Sequence, residues 1–318
     1  MNMKLRILTA SALVMIGTGL LSAADPQLLN LVMPDAMILA GVNVDQAKTS
    51  PFGLYLVAQI QGQDKQLQEI EAQTGFDPTR DLHELLLAST GTQPHGSGLT
   101  LARGTFKPEK IDAAAQSAGG VSESYKGVTI IEDSKRNTGF AFLNANIAIA
   151  GDVASVKGAI DRQTAPATLP AALLVKVNQL STTEDAWGIS EVPPPVIHPA
   201  ANAPNTPNIP ATVFQNIQQA IGGVKLGSQV VITAELQADT AQNATALANV
   251  LQFLLNLAEM HTQQNPQAGT VLKSTNIAAN GNLVNVSLNV PEAEAEALFQ
   301  LKPKAGTVQP HGIPRQKK

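Results

Sequence analysis

The chain of 318 residues is 44% apolar but only 3% aromatic, has no cysteine and carries a formal charge of −4. Acids outnumber bases 25 to 21 and the one basic cluster lies at the extreme C-terminus, which argues against a nucleic-acid partner, because a polyanion needs a basic stripe. Without disulfides the fold must rest on an ordinary core, and the scarcity of aromatic walls argues against a carbohydrate site.

Lys4 and Arg6 precede an apolar run from Ile7 to Leu21, followed by the small residues Ser22, Ala23 and Ala24. This order predicts a signal peptide over residues 1–24, cut after Ala23 or Ala24, and hence a periplasmic or extracellular protein. The apolar run, about 15 residues, is shorter than the roughly 20 that cross a bilayer, so no membrane span is expected after cleavage. Losing Lys4 and Arg6 takes the bases from 21 to 19 against 25 acids, a formal charge of −6. No cysteine stands beside the cut, so no lipidated N-terminus is expected.

Beyond the leader the chain resembles itself. Val42, Asn43, Phe52 and Gly53 match Val177, Asn178, Trp187 and Gly188 at an offset of 135, with Trp in place of Phe. Asn144, Asn146 and Ile147 match Asn280, Asn282 and Leu283 at an offset of 136. A spacing kept across about 100 residues predicts two tandem α+β repeat units, 25–165 and 166–301, each an antiparallel sheet with helices packed on one face. Phe52 and Trp187 are then expected at equivalent core positions.

Each unit reads as strand, helix, strand, helix, β-hairpin and closing helix. Pro51, Pro108 and Pro291 mark helix starts, where a missing N–H costs nothing. Asp152 is placed to cap the helix that begins at Val153. Asn280-Gly281 predicts a two-residue hairpin turn. In the strand after it, Val284, Val286, Leu288 and Val290 alternate with Asn285, Ser287 and Asn289, giving one buried and one polar face. The helix over about 241–261 carries a stripe of Leu247, Val250, Leu251 and Leu254 suited to covering the buried face. Two stretches break the pattern. Residues 192–210 hold seven prolines and predict an irregular insertion in the second unit. The tail over 302–318 is basic and rich in Pro and Gly, and disorder is expected there.

The segment TGFDPTRDLHELLLAS, Thr74 to Ser89, following an export signal and a PDAMILAGVNVD opening, resembles a motif of a family of exported bacterial proteins in which a Gly-aromatic-Asp-Pro turn precedes a strand. The resemblance covers mainly the first unit. The second departs from it, with GGVKLGSQVV at Gly222 to Val231. No activity is assigned to that family, so the resemblance implies location and fold and supplies no mechanism.

Residues that could carry chemistry do not converge in the sequence. His83, His95, His198, His261 and His311 lack the spacing of a metal site, so no metal ligand is expected. His95 and Ser97, in PHGSG, read as turn chemistry rather than as a nucleophile and its base. Glu292, Glu294 and Glu296 suit the first turns of the closing helix, and no Gly-rich phosphate loop follows a strand. No catalytic or cofactor-binding residue, and no cofactor, is therefore assigned. The expected function is that of a non-enzymatic structural or protein-interaction module of the envelope. Pro193, Pro194, Pro195, His198 and Pro199 are the candidate docking residues for an envelope protein partner, since a polyproline segment is already ordered for binding. The alternative is a binding protein for an apolar or lipid-like small molecule, held between helix layer and sheet or between the two units, with the 241–261 helix as a wall. A hydrolase whose residues meet only on folding is the third reading.

Overall fold

A computed structural model describes residues 24–63, 65–91, 97–166, 168–192, 212–260, 262 and 266–300. The expectations for residues 1–23, His95, the proline-rich candidates Pro193, Pro194, Pro195, His198 and Pro199, and the basic tail lie outside the described residues.

The first half runs α1 (Pro26–Leu29), β1 (Ile38–Asn43), α2 (Val44–Ala47), α3 (Pro51–Gln63), α4 (Lys65–Thr74), α5 (Pro78–Asp81), β2 (Leu82–Ser89), β3 (Gly98–Gly104), α6 (Pro108–Ser117), β4 (Val121–Tyr125), β5 (Val128–Asp133), β6 (Thr138–Asn144), β7 (Ile147–Asp152) and α7 (Val153–Arg162). The second runs α8 (Ala171–Thr183), β8 (Ala186–Ser190), α9 (Thr212–Gln215), β9 (Ile217–Lys225), β10 (Gln229–Ala238), α10 (Ala241–Met260), α11 (Pro266–Lys273), β11 (Thr275–Asn280), β12 (Leu283–Pro291) and α12 (Glu292–Gln300). Local signals set many of these bounds. Pro51 and Pro108 open α3 and α6, and Asp152 Oδ1 accepts from Ser155 N at 2.9 Å to cap α7.

The fold is a mixed α+β architecture built on one large antiparallel sheet. Among the described residues its twelve strands are ordered β11-β12-β10-β9-β8-β1-β2-β3-β7-β6-β5-β4. The sequence pattern suggested a sheet for each half; instead β1 pairs with β8, Ile38 opposite Ser190 and Val42 opposite Ala186, and the halves share one sheet. Outward from this seam the order is β1-β2-β3-β7-β6 on one side and β8-β9-β10-β12-β11 on the other, the first half adding β5 and β4.

Because side chains alternate across a sheet, each face has its own core. On one face Leu39, Leu86, Leu101, Ile149, Trp187 and Ile189 pack with Leu28, Val32, Val156, Leu173 and Val177 of α1, α7, α8 and their connections. On the other, Val230 and Val290 pack with Phe52 and Ala295, while Ala238 and Val284 pack with Ala244, Leu247 and Ala248 of α10. The expectation that helices occupy one face holds for α9 to α12; in the first half α7 lies on the first face while α6 lies against β5 on the second.

Two expectations from the self-comparison need correction. Val42 stands in β1 but Val177 in α8, and Phe52 stands in α3 but Trp187 in β8, so these pairs are not equivalent although all four are apolar and Phe52, Val177 and Trp187 are buried. A two-residue match of common types is too short to fix register when the intervening loops differ. The second patch behaves differently, with Asn144 and Ile147 closing β6-β7 as Asn280 and Leu283 close β11-β12. The turn itself is Gly281-Asn282 rather than Asn280-Gly281, and Gly281 alone has positive φ, +59°, as a Gly-first two-residue hairpin requires.

At the seam Gly41 lies opposite Trp187, and a Cβ added to Gly41 would come within 2.5 Å of the buried indole ring. Gly41→Ala is therefore expected to lose about 1–3 kcal/mol, the cost of overpacking a close-fitting core. Denaturant melts check this, and Gly188→Ala, where the added methyl meets nothing closer than 3.8 Å, is the milder control.

Candidate functional site

The seam and the helix that crosses it enclose a cleft. Asn43 at the end of β1 caps α2, its Oδ1 accepting from Gln46 N at 2.9 Å. Ser50 then turns the chain into α3, accepting from Gly53 N at 2.9 Å. Gly53 is required here, since a Cβ would sit 1.9 Å from the Ala47 carbonyl oxygen. This tight corner throws α3 back over the sheet, across the seam and against α12 of the other half.

The Gly-Phe-Asp-Pro segment closes the far side. Gly75 takes φ +70°, Phe76 stacks on Phe106 with centroids 5.4 Å apart, and Asp77 caps α5 through Thr79 N at 2.9 Å. Lys48 ties α2 to this turn, donating to Thr79 O at 2.8 Å and Leu82 O at 3.1 Å.

Between them is a cavity of about 550 Å³. Its floor is Val42, Leu85, Ala186, Val224 and Ile232 from both halves of the sheet, and its wall is Phe52, Leu56 and Val57 of α3. Asp185 is the one acid among its lining residues and is already engaged. It is buried and accepts from Lys225 Nζ at 2.8 Å and Leu226 N at 2.6 Å. The cavity lining is thus almost wholly apolar, and its one acid is already paired. A larger and more open depression of about 770 Å³ lies between the end of α6 and β3, β5, β6 and β7, where Ile131, Phe140 and Val121 stand beside Glu132, Asp133 and Lys135, so apolar and charged groups share its lining.

The 241–261 helix does not line the apolar cavity; α3 supplies the wall. Sequence reasoning gave α3 a core role through Phe52 but no part in a site, although PFGLYLVAQI has apolar residues on every side of the helix and so signals more than one apolar neighbour.

Folding also makes a contact that the sequence separates by 38 residues. His83 Nδ1 lies 2.9 Å from Asp45 Oδ2, and its Nε2 lies 3.4 Å from Thr105 Oγ1. The order carboxylate, imidazole, hydroxyl is that of an activated nucleophile. The His83 and Asp45 side chains are 37% and 57% exposed, however, and none of the three residues lines either cavity. Among the described residues no group of three or more His, Asp or Glu is placed to hold a metal, and no helix is long and apolar enough to cross a membrane.

Comparison of the whole architecture with solved structures finds similar folds, TP0453 in several crystal forms among them. The fold is similar to that of TP0453. Crystal form III of TP0453 superposes with a TM-score of 0.54 at 12% identity, over 85% of this chain and 96% of TP0453. Form IV gives 0.51 at 13% identity, over 87% and 97%. At such identity the likeness to TP0453 is one of fold alone. No family model matches the sequence, and no curated relative is found.

Asp185 also joins three strands, its carbonyl accepting from Asn43 N at 2.8 Å and its N–H donating to Val224 O at 2.9 Å. Asp185→Ala should cost about 2 kcal/mol by stranding the Leu226 amide. Asp185→Asn, which keeps an acceptor, should cost less. Equilibrium unfolding of the two variants distinguishes these outcomes.

Proposed function

We propose that this chain is an exported protein that holds an apolar, lipid-like molecule in the cleft beneath α3. The observation that carries the reading is the cavity of about 550 Å³, floored by Val, Leu, Ala and Ile from both halves of the sheet and walled by Phe52, Leu56 and Val57 of α3. Its volume falls within the roughly 300–1,000 Å³ of small-molecule sites. With its acid already neutralised by Lys225, it favours hydrocarbon over a charged solute. The protein-interaction reading rests on residues 193–199, which lie outside the described residues, and has no comparable geometry behind it.

We further infer that the two halves derive from one duplicated unit, which would explain why the cleft lies where it does. The shared strand order supports this, and so do matching contacts. Asn146 Nδ2 donates to Gly104 O at 3.1 Å at the end of β3, and Asn282 Nδ2 donates to Ala238 O at 3.3 Å at the end of β10. At the seam, Asn43 N to Asp185 O and Glu191 N to Met37 O, both 2.8 Å, are related by exchanging the halves. On this reading α3 belongs to one unit and covers the sheet of the other, so the cleft exists only in the joined molecule. The closing helices differ: α7 and α12 pack on opposite faces.

Binding of the uncharged probe N-phenyl-1-naphthylamine, read by its fluorescence and competed with hexadecanol, tests the ligand reading. Ala186→Phe, which fills the floor, should weaken the probe by about tenfold or more, equivalent to ~1.4 kcal/mol, with the melting temperature kept. Leu54→Ala, on the outward side of α3, should leave binding unchanged. A wild-type protein that does not take up the probe, or an Ala186→Phe variant that binds it equally, would overturn the proposal.

A further inference from the structure

We propose that the leader is cut between Ala24 and Asp25, and that the α-ammonium released on Asp25 is a structural group held by the Glu84 carboxylate. The inference rests on the export reading and is independent of the ligand. In the reaction, catalysed by a leader peptidase of the exporting cell, water adds across the Ala24–Asp25 peptide bond. The carboxylate stays with Ala24 on the leader, and the amine of Asp25 takes a proton.

Asp25 N lies 3.0 Å from Glu84 Oε1, on a strand 59 residues away. The Asp25 side chain is held as well, with Oδ1 accepting from Gln27 N at 2.7 Å to cap α1 and Oδ2 paired with Arg103. Arg103 in turn donates to Gln27 Oε1 at 2.8 Å. Among the described residues the charged groups acting on Glu84 are the Asp25 carboxylate, which repels, and Arg103, which attracts. With an uncut chain the cluster is one cation short, and burial, together with Asp25, pushes the Glu84 carboxyl above its ordinary range. An ammonium at Asp25 N supplies the missing charge at hydrogen-bond distance.

The other bond permitted by the sequence fits less well. An ammonium on Ala24 would lie in a buried position, held at 2.9 Å by the Ser181 hydroxyl rather than by a carboxylate. Burial of a charge without a counter-charge is costly. The flanking residues agree, because the Ala24–Asp25 bond has small residues, Ser22 and Ala24, at the third and first places before it, whereas the Ala23–Ala24 bond has Leu21 at the third.

Expression of the full chain in an exporting Gram-negative host, followed by intact mass and N-terminal sequencing, should give a protein that begins at Asp25. A start at Ala24 overturns this site alone; a leader left uncut in the exported fraction overturns the export reading with it. The role of the ammonium is tested by comparing the Asp25 form with one beginning at Ser22, in which position 25 carries an amide. Glu84→Gln should lower the melting temperature by about 3 °C or more in the Asp25 form and much less in the Ser22 form. Equal losses in both overturn the ion pair. Should Glu84→Gln fail to fold, the wild-type forms decide. The Asp25 form's advantage should be present below the ordinary amine pKa of about 8 and lost as pH rises through its raised folded value, while an advantage unchanged at high pH overturns the proposal.

Discussion

Five register pairs, from Ile38 with Ser190 to Val42 with Ala186, hold β1 against β8, and nearly everything else follows from them. They give the sheet its length, since each half alone would present a long unpaired edge where the other begins. They bring Gly41 under the Trp187 indole, where a side chain at position 41 could not fit. They also lay Val42 beside Ala186, and so assemble a cavity floor that neither half has by itself. The α3 helix then has two surfaces to meet, the seam beneath it and α12 beside it.

What could be read from the sequence was what is local. The Asp152 cap, the proline-opened helices and the alternating strand at 284–290 each depend on neighbours within a few residues. Their physics is complete in a short window. The seam was not legible, because strand pairing between residues about 150 apart leaves no periodic signal in either strand. The false match of Val42 with Val177 shows the converse error: apolar residues of one type serve a strand and a helix equally well.

The site was hidden for the same reason. An apolar helix such as α3 reads as a core element until it is known that its partner sheet is shared, and that the space beneath it is only partly filled. The reach of Asp25 to Glu84, and of Asp45 to His83, likewise spans segments that meet only after β1 and β2 have paired. Charged residues carry little sequence periodicity, and their partners are chosen by the fold.

The seam also constrains the order in which the molecule can be built. A chain made from its N-terminus brings out β1 and Phe52 of α3 long before their partners β8 and β10 emerge. Until then one edge of β1 offers free N–H and C=O groups and the inner side of α3 is uncovered. Closing so distant a contact is slow, and open edges with apolar surface are what drive chains to aggregate. The first half therefore stays unfinished until the second is made, and its bare edge is the surface on which a stray strand would pair.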